Sequence, residues 1–262
     1  MLPILQFGPL SIRTPGLALL LGLWLALDVA QRIGAARGLN GDRVYAVGLA
    51  VIVAGVIGAR LSFVLLNLPL YLGIRPWTQA LLSVAALAPG TEIPLLGLII
   101  AVAVILRLCR RWQFPVLTTL DVLAPAAVIL ITFIGLATLL SGEAHGVETS
   151  LPWHIYLWGE YRHPTQLYLS LSTLLILVLL WRIGGLQGIV APLDAPNLDS
   201  GTIAQITLIL LSLAVLLIEP LRADSPVMCG GIRTWEVAAL FTLIASLAAF
   251  AVRPAYSPIR VT

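Results

Sequence analysis

The stretch Thr202-Ile-Ala-Gln-Ile-Thr-Leu-Ile-Leu-Leu-Ser-Leu-Ala-Val-Leu-Leu-Ile-Glu219 carries no charge before its last residue. Wound as a helix at about 1.5 Å per residue, it nearly matches a bilayer core of roughly 30 Å. Six more runs have the same character: 15–33, 44–68, 93–109, 121–140, 166–183 and 234–252. The chain is 60% hydrophobic and 10% charged, and its mean hydropathy is +1.02 over 262 residues. Those values exclude a soluble globular domain. They predict an all-α polytopic membrane protein of about seven transmembrane helices, a single integral membrane domain over 1–262. Glycine and proline inside such helices are ordinary. The stretch 79–88 is too short to cross and reads as interfacial or re-entrant. Arg13 precedes the first run and no small-x-small site follows it, which argues against a removed signal peptide.

The net charge of +3 comes from arginine alone, since there is no lysine. Arg32, Arg37, Arg43, Arg107, Arg110, Arg111, Arg182, Arg253 and Arg260 fall at one set of span ends. Arg13, Arg75, Arg162, Arg222 and Arg233 fall at the other. The positive-inside rule makes the richer side cytoplasmic, with the N-terminus out and the C-terminus in. The arginines border helices rather than forming a patch, so nucleic acid is not a predicted partner. Cys109 and Cys229 are placed at opposite faces and are not expected to pair. No Cys or His spacing indicates a metal site, and no cofactor is implied.

The polar groups able to do chemistry gather on the outer side, at Glu92, Glu143, His145, Glu148, His154, Glu160, Arg162, His163, Glu219, Arg222, Asp224 and Arg233. All three histidines lie within 141–168. Arg60 lies inside the second span, where a guanidinium faces a protein interior or polar cavity. It can fork onto a lipid phosphate, or snorkel, or pair with a carboxylate. Glu219 and Arg222 share a face if the turn between them is helical. The pair reads either as a carboxylate orienting a phosphate-binding guanidinium or as an interfacial ion pair. Arg162-His163-Pro164-Thr165-Gln166-Leu167-Tyr168 enters the fifth span, with Pro164 suited to a first helical turn. The donors ahead of it sit at a helix N-terminus, a natural anion site. Gln166 and Tyr168 add hydrogen-bonding groups just inside. His145 and His154 read as solvated loop residues. Trp77, Trp112, Trp153, Trp158, Trp181 and Trp235 fall at span ends as an aromatic belt.

These residues together resemble the bacterial prolipoprotein diacylglyceryl transferase family over nearly the whole chain. Phe7-Gly8-Pro9-Leu10-Ser11-Ile12-Arg13 with Gly16-Leu17 resembles its opening. Gly58-Ala59-Arg60-Leu61-Ser62-Phe63-Val64-Leu65 is similar to its second-span motif, and Ser141-Gly142-Glu143-Ala144-His145-Gly146 to the end of its signature. Leu151-Pro152-Trp153 and the run Arg162 to Tyr168 are the most specific match, and Glu219-Pro220-Leu221-Arg222 resembles the Glu-x-x-Arg segment before the last span. The chain departs from the family at Pro15, where a tyrosine is usual, and at Glu92-Ile93-Pro94, where a histidine is. Gly135 and Thr138 stand where the signature has arginine and asparagine.

The resemblance implies transfer of diacylglyceryl from phosphatidylglycerol to the lipobox cysteine of a preprolipoprotein, in the bacterial cytoplasmic (inner) membrane. The partners it implies are that lipid, the lipobox peptide and the surrounding membrane. Such chemistry needs a thiolate and a cation at the departing phosphate. Arg60, Arg162 and Arg222 are the candidates for the phosphate, with Gln166 and Tyr168 as further substrate-binding groups. Glu143 and Glu219 would orient them, and His163 is the candidate general base. The four departures leave a second reading open, a non-catalytic relative that binds lipid or lipoprotein. A small transporter would need polar groups reaching the inner half of the spans, where Asp28 and Asp121 are the main candidates.

Overall fold

Every one of the seven apolar runs forms a helix in the computed structural model, which describes residues 4–7, 10–85, 94–189, 198–227 and 233–252. Gly8, Pro9, Glu92, Ile93, Cys229, Arg253 and Arg260, all used in the sequence reading, lie outside the described residues. The long helices are α1 (Thr14–Ala36), α2 (Gly41–Leu66), α5 (Pro94–Trp112), α6 (Val116–Ser141), α7 (Thr165–Arg182), α8 (Thr202–Ile218) and α9 (Thr234–Ala251). Among the described residues, six are long and apolar enough to cross a membrane: α1, α2, α6, α7, α8 with the turn that follows it, and α9. The seventh, α5, is 19 residues long but ends in Arg107, Arg110 and Arg111. Of two short helices, α4 (Trp77–Ala85) takes up 79–85 of the stretch read as too short to span, and α3 (Leu68–Leu72) precedes it.

Two antiparallel hairpins interrupt the helical pattern. One pairs β1 (Ile4–Phe7) with β2 (Leu10–Arg13). The other pairs β3 (Ile155–Leu157) with β4 (Glu160–Arg162), inside what the sequence presents only as a polar connection. Its two-residue turn has Trp158 at φ 57° and Gly159 at φ 86°. Both positive values match the right-handed twist of a tight hairpin, and the glycine takes one of them without steric cost.

Contacts group the chain into two units, Ala30–Thr119 on one hand and Met1–Val29 with Leu120–Thr262 on the other. In the first, α2 and α5 meet at glycines. A Cβ on Gly58 would come within 2.7 Å of the Gly97 Cα, and one on Gly97 within 2.5 Å of the Gly55 carbonyl oxygen. Ser62 Oγ donates to the Gly58 carbonyl and accepts from the Leu96 N–H at 3.1 Å. Small residues and hydroxyl bridges are how helices associate where lipid supplies no hydrophobic drive. Arg60 belongs to this unit and is 8% exposed. It donates from Nε to the Val84 carbonyl at 3.0 Å, and from Nη2 to the Ser83 carbonyl at 2.6 Å and the Tyr71 hydroxyl at 3.1 Å. Its guanidinium also stacks near the Phe63 and Tyr71 rings. A charge placed in a span thereby meets acceptors from both α3 and α4.

In the second unit, polar groups again join helices. Thr132 Oγ1 on α6 hydrogen-bonds Thr173 Oγ1 on α7 at 2.8 Å, and Ser170 Oγ reaches the Thr132 carbonyl at 3.2 Å. Ala124, Val128, Ile176, Leu180 and Ile203 form the apolar core between α6, α7 and α8. Asp121, 2% exposed, accepts from the Gly201 N–H at 2.6 Å and the Ala204 N–H at 2.8 Å. Its carboxylate therefore caps the N-terminus of α8, satisfying orphan donors and complementing the helix dipole. Asp121, one of the two aspartates that a transporter reading would draw on, is engaged in this cap.

Three variants test this packing in purified protein in detergent. Asp121→Ala should lower stability by about 2 kcal/mol, the cost of losing a charged cap from a buried helix end, read as a drop in melting temperature. Gly97→Leu should prevent α2 and α5 from closing and leave little monodisperse protein on size exclusion. Gly55→Ala, whose Cβ would meet nothing within 4 Å, should behave as the parent chain.

Candidate functional site

The segment 145–149 leaves α6 as an extended strand-like run with a neighbour on each side. On one side His163 N–H donates to the Val147 carbonyl at 3.0 Å, and Gly146 N–H to the His163 carbonyl at 3.2 Å. On the other, Val147 N–H donates to the Leu221 carbonyl at 2.8 Å and Ala223 N–H to the His145 carbonyl at 2.9 Å. The bridges Glu148↔Arg162 and Gly146↔Arg222 fix the register. Gly146 sits where no side chain fits, since a Cβ there would come within 2.6 Å of the His163 Cβ and closer still to its carbonyl oxygen. Thus the two most polar motifs, 162–168 and 219–222, are tied to one strand.

Glu219–Leu221 form a 3-10 turn directly after α8, so the three-residue spacing does place Glu219 and Arg222 together. Arg222 Nη1 lies 3.5 Å from Glu219 Oε2, and its Nη2 and Nε lie 3.0 Å and 3.2 Å from Asp224 Oδ1. Glu219 is buried, and its other oxygen accepts a short hydrogen bond from Ser225 Oγ. Arg233, the residue before α9, donates to the Arg222 carbonyl and to the Pro220 carbonyl at 3.4 Å, clamping the turn from behind. A guanidinium has five N–H donors. Three on Arg222 are engaged, and among the described residues one N–H on each terminal nitrogen has no partner.

On α7 the order of side chains sets the other half of the site. Pro164 is the residue before the helix rather than its first turn. His163 Nδ1 lies 3.3 Å from the Tyr168 hydroxyl, which also accepts the Trp153 indole N–H at 2.8 Å. Thr165 Oγ1 donates to the Ala144 carbonyl and Gln166 Nε2 to the Glu143 carbonyl, both at 2.6 Å. These two bonds fasten the end of α6 to the start of α7. The Glu143 carboxylate itself is exposed and has no hydrogen bond among the described residues. Arg162 donates from Nε to the Leu157 carbonyl at 3.2 Å and from Nη1 to the Gly146 carbonyl at 3.3 Å, bracing the β3–β4 hairpin against the central strand. Three of its N–H groups have no partner among the described residues.

A cavity of about 120 Å³ opens between α6, α7, α8 and the start of α9. Gln166, Glu219 and Arg222 give it polarity, and Leu169, Val215, Ile218 and Trp235 give it apolar walls. Of the three arginines read as phosphate ligands, Arg222 lines this cavity. Arg162 braces the hairpin next to it, and Arg60 belongs to the other unit with the partners given above. His154 Nδ1 sits 2.6 Å from the Leu151 carbonyl, and its ring packs on Tyr161.

Several contributors have no signal in the sequence. Ser225 is one more serine in an outer connection until the fold sets it on Glu219. Trp153 and Trp158, read as belt residues, donate to Tyr168 and to the Gly142 carbonyl. Asp224, two residues from Arg222, was noted only as part of the outer charge. At the departures from the family pattern the structure is specific. A Cβ on Gly135 would lie 3.0 Å from the Gln166 carbonyl oxygen and closer to Ser170 Oγ, so α6 and α7 meet where an arginine is usual. Thr138 lines the cavity and turns its hydroxyl back onto the Ile134 and Gly135 carbonyls.

A family model described as prolipoprotein diacylglyceryl transferase matches residues 3–252. A phosphatidylglycerol–prolipoprotein diacylglyceryl transferase of Parasynechococcus marenigrum is 31% identical, over 92% of this chain and 90% of that protein. A protein of the same description from Ligilactobacillus salivarius is 30% identical over 97% of this chain and 94% of its own length. Another from Synechococcus elongatus is 29% identical over 92% and 83%. With six helices among the described residues long and apolar enough to cross a membrane, the polar ends of α6, α7 and α8, and a match along nearly its whole length, this chain belongs to the prolipoprotein diacylglyceryl transferase family.

Proposed function

We propose that the protein transfers the diacylglyceryl group of phosphatidylglycerol to the cysteine thiol of a lipobox peptide at the outer face of a bacterial inner membrane. The observation that carries this reading is the Glu219–Arg222 pair at the wall of a cavity between helix ends. The cysteine sulfur attacks the glyceryl carbon bonded to the phosphate ester oxygen. A C–S bond forms, the C–O bond breaks, the thiol proton goes to a base, and glycerol phosphate leaves. Arg222 keeps two N–H donors for the departing phosphate while Glu219, Ser225 and Asp224 hold its position. Arg162 offers further cationic charge beside the same strand. The Glu143 carboxylate, exposed at the end of α6, is available to a substrate group.

His163 is the candidate base. With its Nδ1–H donated to the Tyr168 oxygen, Nε2 keeps a lone pair for the thiol proton. The base role requires this tautomer, in which the Tyr168 oxygen accepts from both His163 and Trp153. A second reading is favoured by Gly135 and Thr138: a relative that binds the lipid without turning it over.

Purified protein given phosphatidylglycerol and a lipobox peptide should yield a thioether-linked product, seen by mass spectrometry as the added diacylglyceryl mass. His163→Gln and Arg222→Ala should each lower the rate by about a hundredfold or more, the usual cost of a lost base or charge stabiliser. Lipid binding without any product in the parent protein would select the second reading.

The proposed orientation is tested separately. Reporter fusions in 141–165 should report an extracytoplasmic position and fusions in 184–201 a cytoplasmic one. The reverse pattern would move the site to the wrong face for secreted lipoproteins.

A further inference from the structure

The unit Ala30–Thr119 carries eight arginines against two carboxylates, whereas the rest of the chain has seven arginines and ten carboxylates. A charge imbalance of that kind points to an anionic partner. Three of the eight crowd the last two turns of α5, at Arg107, Arg110 and Arg111. Spacings of three and four residues set them side by side on the helix, where like charges repel. All three are exposed, and their guanidinium groups have no hydrogen-bond or ion-pair partner among the described residues. Arg43, at the start of α2, differs: its guanidinium rests over the Trp112 ring. The dipole at the end of α5 favours cations in its last turn, yet it leaves their N–H donors unfilled.

Towards the middle of the helix the same face becomes apolar. Ala103 lies about 10 Å along the axis from Arg110. An open groove of about 670 Å³ runs over this face, lined by Ala103 and Leu106 at one end and by Arg107, Arg110 and Arg111 at the other. The positive-inside rule explains arginine at such a helix end. It does not explain a groove that joins the arginines to an apolar floor. A phospholipid has the matching halves, phosphate and hydrocarbon. A single phosphodiester brings one negative charge to three cations. Two phosphates on one glycerol bridge can engage neighbouring arginines at i and i+4, whose Cβ atoms lie about 5–6 Å apart.

We propose that this groove holds a two-phosphate anionic phospholipid of the adjoining leaflet. Its phosphates rest on Arg107, Arg110 and Arg111, and an acyl chain lies along Leu106 and over Ala103. Basic pockets at the arginine-rich ends of membrane helices recognise head groups of this class. The lipid is a bound partner and not a reactant, so the site stands whether or not the protein is a transferase.

The test titrates cardiolipin, with two phosphates, and phosphatidylglycerol, with one, into the full protein in detergent micelles, with bound lipid read by native mass spectrometry. Arg110→Gln should weaken cardiolipin about fivefold, the scale of one arginine near an anionic head group, and phosphatidylglycerol by less than about twofold. Ala103→Phe fills the groove at an exposed helix position and changes no charge. It should also weaken cardiolipin severalfold and leave phosphatidylglycerol as in the parent. Arg222→Ala should hold cardiolipin as the parent does, which separates this site from the cavity at Arg222. Cardiolipin binding unchanged in both α5 variants would overturn the proposal. So would a loss of every anionic lipid in Arg110→Gln with none in Ala103→Phe, since the arginines would then act as diffuse surface charge. An equal loss of both lipids in both variants would overturn the choice of a two-phosphate head group.

Discussion

Gly146 is the point at which the site is tied together. Its backbone is bridged to Arg222, its N–H goes to the His163 carbonyl, and its own carbonyl takes the Arg162 guanidinium. Residues some 60 positions apart in the chain therefore meet chiefly through main-chain groups, with the Arg162 guanidinium as the one side chain among the three links. That matters at a helix end, where orphan carbonyls and N–H groups must find partners before a loop can hold shape. The strand-like run 145–149 offers its own groups to both neighbours, and the absence of a Cβ at Gly146 lets one of them approach. Everything chemically promising in this unit hangs on that three-way junction.

Charge in the site is arranged in pairs whose members come from nearby turns. Arg222 sits between Glu219 and Asp224, and Glu219 is also held by Ser225. Burying Glu219 alone would be costly, but the guanidinium and the hydroxyl compensate it. The arrangement leaves part of the arginine's donor fork unused, facing a cavity with mainly apolar walls. Such a fork, with donors to spare, is suited to an oxyanion that comes and goes. Arg60 shows the contrast: Ser83, Val84 and Tyr71 surround it and hold the short helices α3 and α4 in place.

The departures from the family pattern acquire a physical meaning in the fold. At Gly135 the α6 and α7 backbones approach closely, with Ser170 and the Gln166 carbonyl in the space a side chain would need. Restoring an arginine there would require the helices to part. This chain instead shows polar groups at Arg222, Gln166 and Arg233, the last held to the Glu219–Leu221 turn from the start of α9.

Composition and spacing alone determined the helices. Seven apolar runs bounded by arginine, proline and glycine can satisfy their backbones in lipid only by coiling, and all seven do so. The Glu219–Arg222 pairing was also legible, because a separation of three brings side chains to one face in any helical turn. The β3–β4 hairpin was not: its strands are three residues each, too short for an alternating pattern to register. Nor were Ser225, Trp153 and the Gly146 junction, since each acts on a residue distant in sequence or through the backbone. The same holds for Gln166. Its motif marked it as polar and near the membrane, but only the tertiary structure decided that it is buried and that its nitrogen is held by the Glu143 carbonyl. Local periodicity follows from the order of residues, whereas hydrogen-bond partners and cavities follow from which helix ends the fold brings together.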